Sequence, residues 1–218
     1  MPDFTTGSVD GARHQIAYRR AGSGHPLVLL HPLALSGAVW GAFAQRLAGS
    51  FDVIAADARG HGASGWDGEP FGIDDLGDDA PHTWGERAAG VLARPREQQV
   101  PFQADRWFTE GFRQRNPAEV NRVVGIFLRT DSLAHAQACR ALGTMDSRGL
   151  LAKITARTLV LTGEEDYATP PAMGAAIADG VPDGEARVLP ALRHLSLVED
   201  PALAGLAAEF LSTVKARG

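Results

Sequence analysis

Two side chains late in the sequence are of types that could do acid–base chemistry together. Asp166 ends Gly163-Glu164-Glu165-Asp166, and His194 sits in Arg193-His194-Leu195, one helix-and-strand unit further on. An imidazole that takes a proton from a hydroxyl needs a carboxylate on its far nitrogen, which fixes the tautomer and favours the imidazolium. Such a pair is equipment for acyl transfer. Leu33, two residues past His31, would offer its backbone N–H as one oxyanion donor, because Pro32 has none to offer. The chemistry calls for no metal and no cofactor. Cys139 is the single cysteine, and it reads as a small buried hydrophobe on a helix rather than a nucleophile, since no histidine pattern surrounds it.

Short apolar runs position these groups. Leu27-Val28-Leu29-Leu30 stops at His31-Pro32, Val53-Ile54-Ala55-Ala56 stops at Asp57, Thr158 to Gly163 stops just before Asp166, and Ala186 to Pro190 leads to His194. Runs bounded this way predict strands buried on both faces, as in a mostly parallel sheet. Each would deliver a polar side chain just past its carboxyl end, where open α/β sheets place their ligand sites. Residues 4 to 22, punctuated by Gly7, Gly11 and Gly22, predict an opening β-hairpin that includes Ile16 and Tyr18. Ser36 is placed to cap a helix carrying Val39, Phe43 and Leu47. The glycine-rich turn Asp57 to Ser64 follows the second run directly.

From Trp66 to Pro81 the chain is acidic and glycine-rich, with a short helical candidate around Ile73 to Ala80. Residues 82 to 148 are helical in pattern throughout. Asn116-Pro117-Ala118-Glu119 has the form of a capping box. Behind it Val120, Val123, Val124, Phe127 and Leu128 recur at helical spacing, and Asp131 can cap the next helix. A final helix, with Leu203, Leu206, Phe210 and Val214 on one face, follows the last strand. The expected organisation is an α/β core of residues 1–81 and 149–218 with a helical insertion over 82–148.

Composition narrows the function classes. A chain of 218 residues with 44% hydrophobic content is one ordinary globular domain with a substantial core. A net charge of −5 and a pI near 5.8 provide no basic face for nucleic acid. No window approaches a membrane span, and the amino end lacks a basic region followed by an apolar stretch. The expectation is a soluble cytoplasmic protein acting on a small molecule, with no nucleic-acid or membrane partner.

These residues together resemble the α/β-hydrolase superfamily and, within it, the 3-oxoadipate enol-lactonases. The superfamily likeness rests on Leu29-Leu30-His31-Pro32, the Asp57 to Ser64 turn, Thr162 to Asp166 with Thr169-Pro170-Pro171, and His194-Leu195-Ser196 with Glu199 and Pro201. The narrower one rests on Arg106-Trp107-Phe108-Thr109 and Cys139-Arg140-Ala141-Leu142 with Met145-Asp146, which look like that group's lid. The order Asp then His also agrees with the superfamily's Ser, Asp or Glu, His succession. The resemblance implies an α/β-hydrolase fold with flanking helices and a helical lid, and the hydrolysis of small carboxylic esters or lactones. Trp107 and Phe108 would then line the substrate pocket, with packing of the lid as their alternative role.

One part of the pattern is absent. Members carry a nucleophile elbow, Gly-x-Ser-x-Gly, on a strand between the Asp57-type turn and the lid. No Gly-x-[Ser/Cys/Asp]-x-Gly occurs here, and Asp78-Asp79-Ala80 runs almost directly into His82-Thr83-Trp84, which looks like the lid's start. The gap is at least one βαβ-sized unit, about 30 residues. Losing two central strands narrows a sheet by roughly 10 Å at about 4.8 Å per strand. The strand ending at His31 is then expected to pair with the strand ending at Gly163, drawing the Leu33 loop toward Asp166 and His194. Failing that, an exposed parallel edge predicts a homodimer or poor solubility.

The same residues also admit plainer roles. Asp166 and His194 could merely satisfy each other, and His31 with the Asp57 turn reads as structural support through strand-end hydrogen bonds. Ser64 and Ser36 are conceivable substitute nucleophiles, with turn and cap roles favoured. Function therefore divides between a hydrolase working through a displaced serine or an activated water, a non-catalytic relative that binds a small acid or lactone, and a deletion remnant.

Overall fold

The structure is a computed structural model that describes residues 3–10, 14–70, 88–143 and 148–215. The helix expected around Ile73 to Ala80, the lid start at His82 to Trp84, the 81/82 boundary and Met145-Asp146 fall outside the described residues. Contacts divide the chain into two compact units, Met1–Gln99 with Asn121–Met145, and Val100–Val120 with Asp146–Gly218.

In the first unit β1 (Thr5–Asp10) and β2 (Gln15–Gly22) form the expected antiparallel hairpin. Strand β3 (His25–Leu30) crosses through a 3-10 turn, Gly37–Trp40, and helix α1 (Gly41–Leu47) to the parallel strand β4 (Phe51–Ala56). The sheet order is β1-β2-β4-β3. Val39, Phe43 and Leu47 are buried, as their spacing predicted. Ser36 stands at the cap position but makes no side-chain capping bond. The Gly37 N–H goes instead to Asp57 Oδ1, 2.7 Å away, so a carboxylate from the end of β4 does the capping.

Burial differs from expectation at β3. Val28 and Leu30 are 57% and 74% exposed, whereas Ile54 and Ala56, their partners on the same face of β4, are half-buried. The reason is position: β4 has a neighbour on each side, while among the described residues β3 pairs with β4 alone and is an edge. Residues 28 and 30 project to one face of that edge strand. An unbroken apolar run signals a strand but does not say which strand is central.

After helical residues 88–93 come α2 (Arg96–Trp107), α3 (Glu110–Arg115), α4 (Pro117–Arg129) and α5 (Ser132–Gly143). Asp131 caps α5 as expected, its Oδ1 accepting from the Ala134 N–H at 2.8 Å. The buried face of α4 is Val123, Ile126 and Phe127, and Leu128 is 37% exposed, so the stripe is rotated slightly from the one read in the sequence. Cys139 is wholly buried, packed with Ala88, Val91 and Ala136.

The second unit is built on β5 (Thr158–Gly163) and β6 (Gly184–Leu189), parallel to each other and joined through α6 (Pro171–Gly180), which packs on both. Pro170 and Pro171 open α6, where a missing N–H costs nothing. The chain ends in α7 (Ser196–Glu199), a 3-10 turn at Pro201–Leu203, and α8 (Ala204–Lys215). The expected pairing of β3 with β5 does not occur among the described residues, since β5 pairs with β6 alone. Strands β3 and β5 each close a local βαβ unit with the strand that their own crossover helix delivers. No helix among the described residues is long and apolar enough to cross a membrane.

The edge position of β3 makes a measurable contrast. Leu30→Lys should change unfolding free energy by less than about 0.5 kcal/mol, while Leu35→Ala, at a wholly buried side chain, should cost about 2–5 kcal/mol. Urea titrations of both variants check it, and equal losses would contradict the edge assignment.

Candidate active site

In the second unit the ends of β5 and β6 bring Asp166 and His194 together. His194 Nδ1 lies 2.9 Å from Asp166 Oδ2. The carboxylate is almost fully enclosed and filled with donors: Oδ1 accepts from the N–H groups of Ala168 at 2.8 Å and Thr169 at 2.9 Å, and Oδ2 also accepts from the Thr169 hydroxyl at 2.7 Å. Burial by itself pushes the Asp166 carboxyl up, but the hydrogen bond and charge of His194 and the donors from Thr169 outweigh it and hold the group down to about 2. A carboxylate charged at neutral pH can only accept, so Nδ1 carries a proton and Nε2 presents its lone pair. Among the described residues nothing hydrogen-bonds to Nε2.

Local geometry explains why the loops can meet. A side chain at Gly163 would place its Cβ 2.5 Å from the carbonyl oxygens of Leu192 and Arg193, so only glycine lets the His194 loop lie across the end of β5. The Glu165 N–H then reaches the Leu192 carbonyl at 2.9 Å, and the Glu164 N–H that of Leu189 at 2.8 Å. Arg193 adds a charged tie: it donates to the Asp105 carbonyl at 2.8 Å and to Glu165 Oε2 at 3.1 Å. The Tyr167 hydroxyl, together with Arg113 and Arg193, holds the Asp105 carboxyl below its ordinary value. Trp107 and Phe108 belong to this unit and are 3% and 0% exposed. Phe108 stacks on Phe112 at 5.2 Å, so in this conformation its ring is engaged in packing.

Leu33 belongs to the first unit. Its side chain packs on Ala88, Val91, Ala136 and Cys139, and among the described residues no acceptor takes its N–H. Ala34 beside it has φ 65°, a left-handed conformation that costs an alanine on the order of 1–2 kcal/mol. Two bonds hold it there, from the Thr130 hydroxyl to the Ala34 carbonyl at 2.9 Å and from the Ala34 N–H to His61 Nε2 at 3.3 Å. His61 Nδ1 donates to the Arg59 carbonyl at 2.9 Å. His31 repeats the arrangement, with Nδ1 donating to the Pro32 carbonyl at 2.8 Å and Nε2 accepting from the Ala58 N–H at 2.9 Å. The two histidines thus cross-brace the turns after β3 and β4. Asp57 completes the brace through Gly37 and Ala63, and Gly62, with φ 56°, leaves the room its carboxylate occupies. Ser64 is spent on the Ala17 N–H and the Asp57 carbonyl, which makes it a turn residue.

Thr169, Arg193, Asp105, Thr130 and His61 were not singled out as functional from the sequence. Thr169 alone had a local signal, since it follows Asp166 by three residues in a Thr-Pro-Pro helix start.

No protein-family model matches the chain. Two curated relatives are similar to it. The 3-oxoadipate enol-lactonase 1 of Acinetobacter baylyi is 30% identical over 118 residues, which are 54% of this chain and 44% of that enzyme, so the chain spans less than half the length of that relative. The 3-oxoadipate enol-lactonase 2 of the same organism is 24% identical over 80% of this chain and 84% of its own length. Among solved structures, the enol-lactonase of Burkholderia xenovorans LB400 superposes with a TM-score of 0.81 at 22% identity, over 91% of this chain and 97% of that one. The chain has the α/β-hydrolase fold and resembles the 3-oxoadipate enol-lactonases. The sequence departs from the pattern of that fold where Gly-x-Ser-x-Gly is missing.

The histidine brace has an acid limit. Burial above all holds His31 down to about 4, and burial also lowers His61. Only a neutral ring can accept the Ala58 N–H. The unfolded chain binds the proton near 6.5 and the folded one near 4, so stability present above about pH 6.5 is lost as pH falls toward 4, on the order of 2–3 kcal/mol for His31. Urea titrations between pH 7 and 4 should show that slope, and His31→Gln should flatten it, leaving the part due to His61. An unchanged slope in the variant would refute the brace.

Proposed function

We propose that the protein hydrolyses small carboxylic esters or lactones by general-base activation of water. His194 is the base, and Asp166 fixes its tautomer and stabilises the imidazolium. The observation that carries this reading is the hydrogen bond between His194 Nδ1 and Asp166 Oδ2, with Nε2 left to accept a proton. A serine mechanism has less support, because no Gly-x-Ser-x-Gly is present and no serine hydroxyl among the described residues is bonded to Nε2. The enol-lactonase relatives support an ester or lactone as the substrate class.

In the reaction, His194 Nε2 takes a proton from water as its oxygen adds to the carbonyl carbon. The carbonyl oxygen takes up the negative charge, the bond to the leaving oxygen breaks as the adduct collapses, and the imidazolium returns the proton to the departing alkoxide. General-base assistance of this kind is worth about 10²–10⁴-fold, so turnover should be slow beside that of enzymes with an activated serine. The missing elbow also favours a second reading, a non-catalytic relative that binds a small acid or lactone.

Hydrolysis of p-nitrophenyl acetate and of an enol-lactone, compared with His194→Ala, decides between them. Loss of about 10²–10⁴-fold in kcat/KM is expected for the variant, with no adduct from a fluorophosphonate probe. A stoichiometric adduct on a serine would replace water by a covalent mechanism. Absence of turnover together with a ligand-dependent rise in Tm would favour the binding protein.

A further inference from the structure

The backbone on each side of His194 is tied to the same short segment of chain. Two residues of that segment, Trp107 and Thr109, make the ties. The Leu195 N–H, one residue after His194, donates to the Trp107 carbonyl at 2.9 Å. The Arg193 N–H, one residue before, donates to Glu199 Oε1 at 3.2 Å, and that same carboxylate accepts the Thr109 N–H at 3.0 Å and, through Oε2, the Thr109 hydroxyl at 2.8 Å. Glu199 therefore joins two pieces of chain 90 residues apart in sequence. We propose that Glu199 and Thr109 are positioning residues for His194, a clamp that fixes the histidine's backbone so that its ring meets Asp166.

Several features fit a clamp better than an incidental contact. Thr109 is itself immobilised: it caps α3, its hydroxyl oxygen accepting from the Phe112 N–H at 3.3 Å. Trp107 and Phe108 are buried and Phe108 stacks on Phe112, so the segment that receives the bonds is a rigid support. Glu199 is held from its own side as well, since its N–H closes the short helix α7 on the Leu195 carbonyl at 3.0 Å. A half-buried carboxylate with three donors is held in place best while all three are present, because each lost donor leaves charge less compensated. The buried aromatic pair thereby acquires a role beside packing, anchoring the loop that carries the histidine.

The clamp matters for turnover only if His194 is the base, and to that extent it rests on the proposed hydrolase reading. Its test does not. The Nδ1 proton of His194 should give a low-field proton NMR signal, assigned by its loss in His194→Ala. In Thr109→Val, which removes the hydroxyl, and in Glu199→Gln, which cannot accept three donors, that proton should exchange with water about tenfold faster, the scale of one hydrogen bond to a charged group. Thr109→Ser should restore the wild-type rate. A wild-type exchange rate in folded Thr109→Val, or failure of Thr109→Ser to restore it, would overturn the proposal. Thr109→Val decides the matter alone should Glu199→Gln fail to fold. A purely structural role would lower Tm and leave the exchange rate unchanged. Turnover of p-nitrophenyl acetate by the wild-type chain, measured separately, bears on the hydrolase reading and not on the clamp.

Discussion

A carboxylate taken out of water must be surrounded by donors or give up its charge, and the second unit is arranged around that requirement at Asp166. Its four acceptor positions are filled by two backbone N–H groups, one hydroxyl and one imidazole. The turn into α6 supplies the first three, which is why the residues after Asp166 form a tight loop rather than continuing the strand. The fourth has to come from another element. Gly163 gives up its side chain so that the loop after β6 can cross and deliver His194. Once that bond is made, the tautomer follows, and with it the basic nitrogen. The chemistry of the pair is a consequence of satisfying one buried charge.

The first unit applies the same accounting to neutral groups. His31 and His61 each use one nitrogen to donate to a carbonyl and the other to accept a backbone N–H. Burial keeps both rings uncharged, and only uncharged rings can do this. The bonds hold Ala34 in a left-handed conformation that an alanine would not adopt in isolation. Polar side chains thus stand at the carboxyl ends of all four strands that carry them, but two of the four sites hold backbone in place and two pair an imidazole with a carboxylate. Chain position alone does not separate those roles; hydrogen-bond partners do.

Much of this was legible in the chain itself. The apolar runs mark β3, β4, β5 and β6, Gly-punctuated alternation marks the opening hairpin, and Asp131 and Pro171 mark helix starts. The order of Asp166 and His194, and the lack of a nucleophile elbow, are plain in the residues. These are local properties, because hydrophobic period, turn chemistry and chain order act over a few residues. Centrality is not local: β4 and β3 are both apolar runs, yet one is buried and the other an edge with Leu30 in water. Ser36 looked like a cap and lost that role to Asp57, 20 residues from the N–H it serves. Thr109 and Glu199 had nothing to connect them in the sequence.

What the residues determined alone is the set of strands and helices and the chemical types waiting at their ends, since backbone propensity and side-chain period act between near neighbours. Only the tertiary structure decided which strand lies in the middle, which histidines bond to backbone alone and which to a carboxylate, and what fills the space around each buried polar atom. Those outcomes depend on contacts between segments distant along the chain, where desolvation and hydrogen bonding are settled by what arrives from elsewhere.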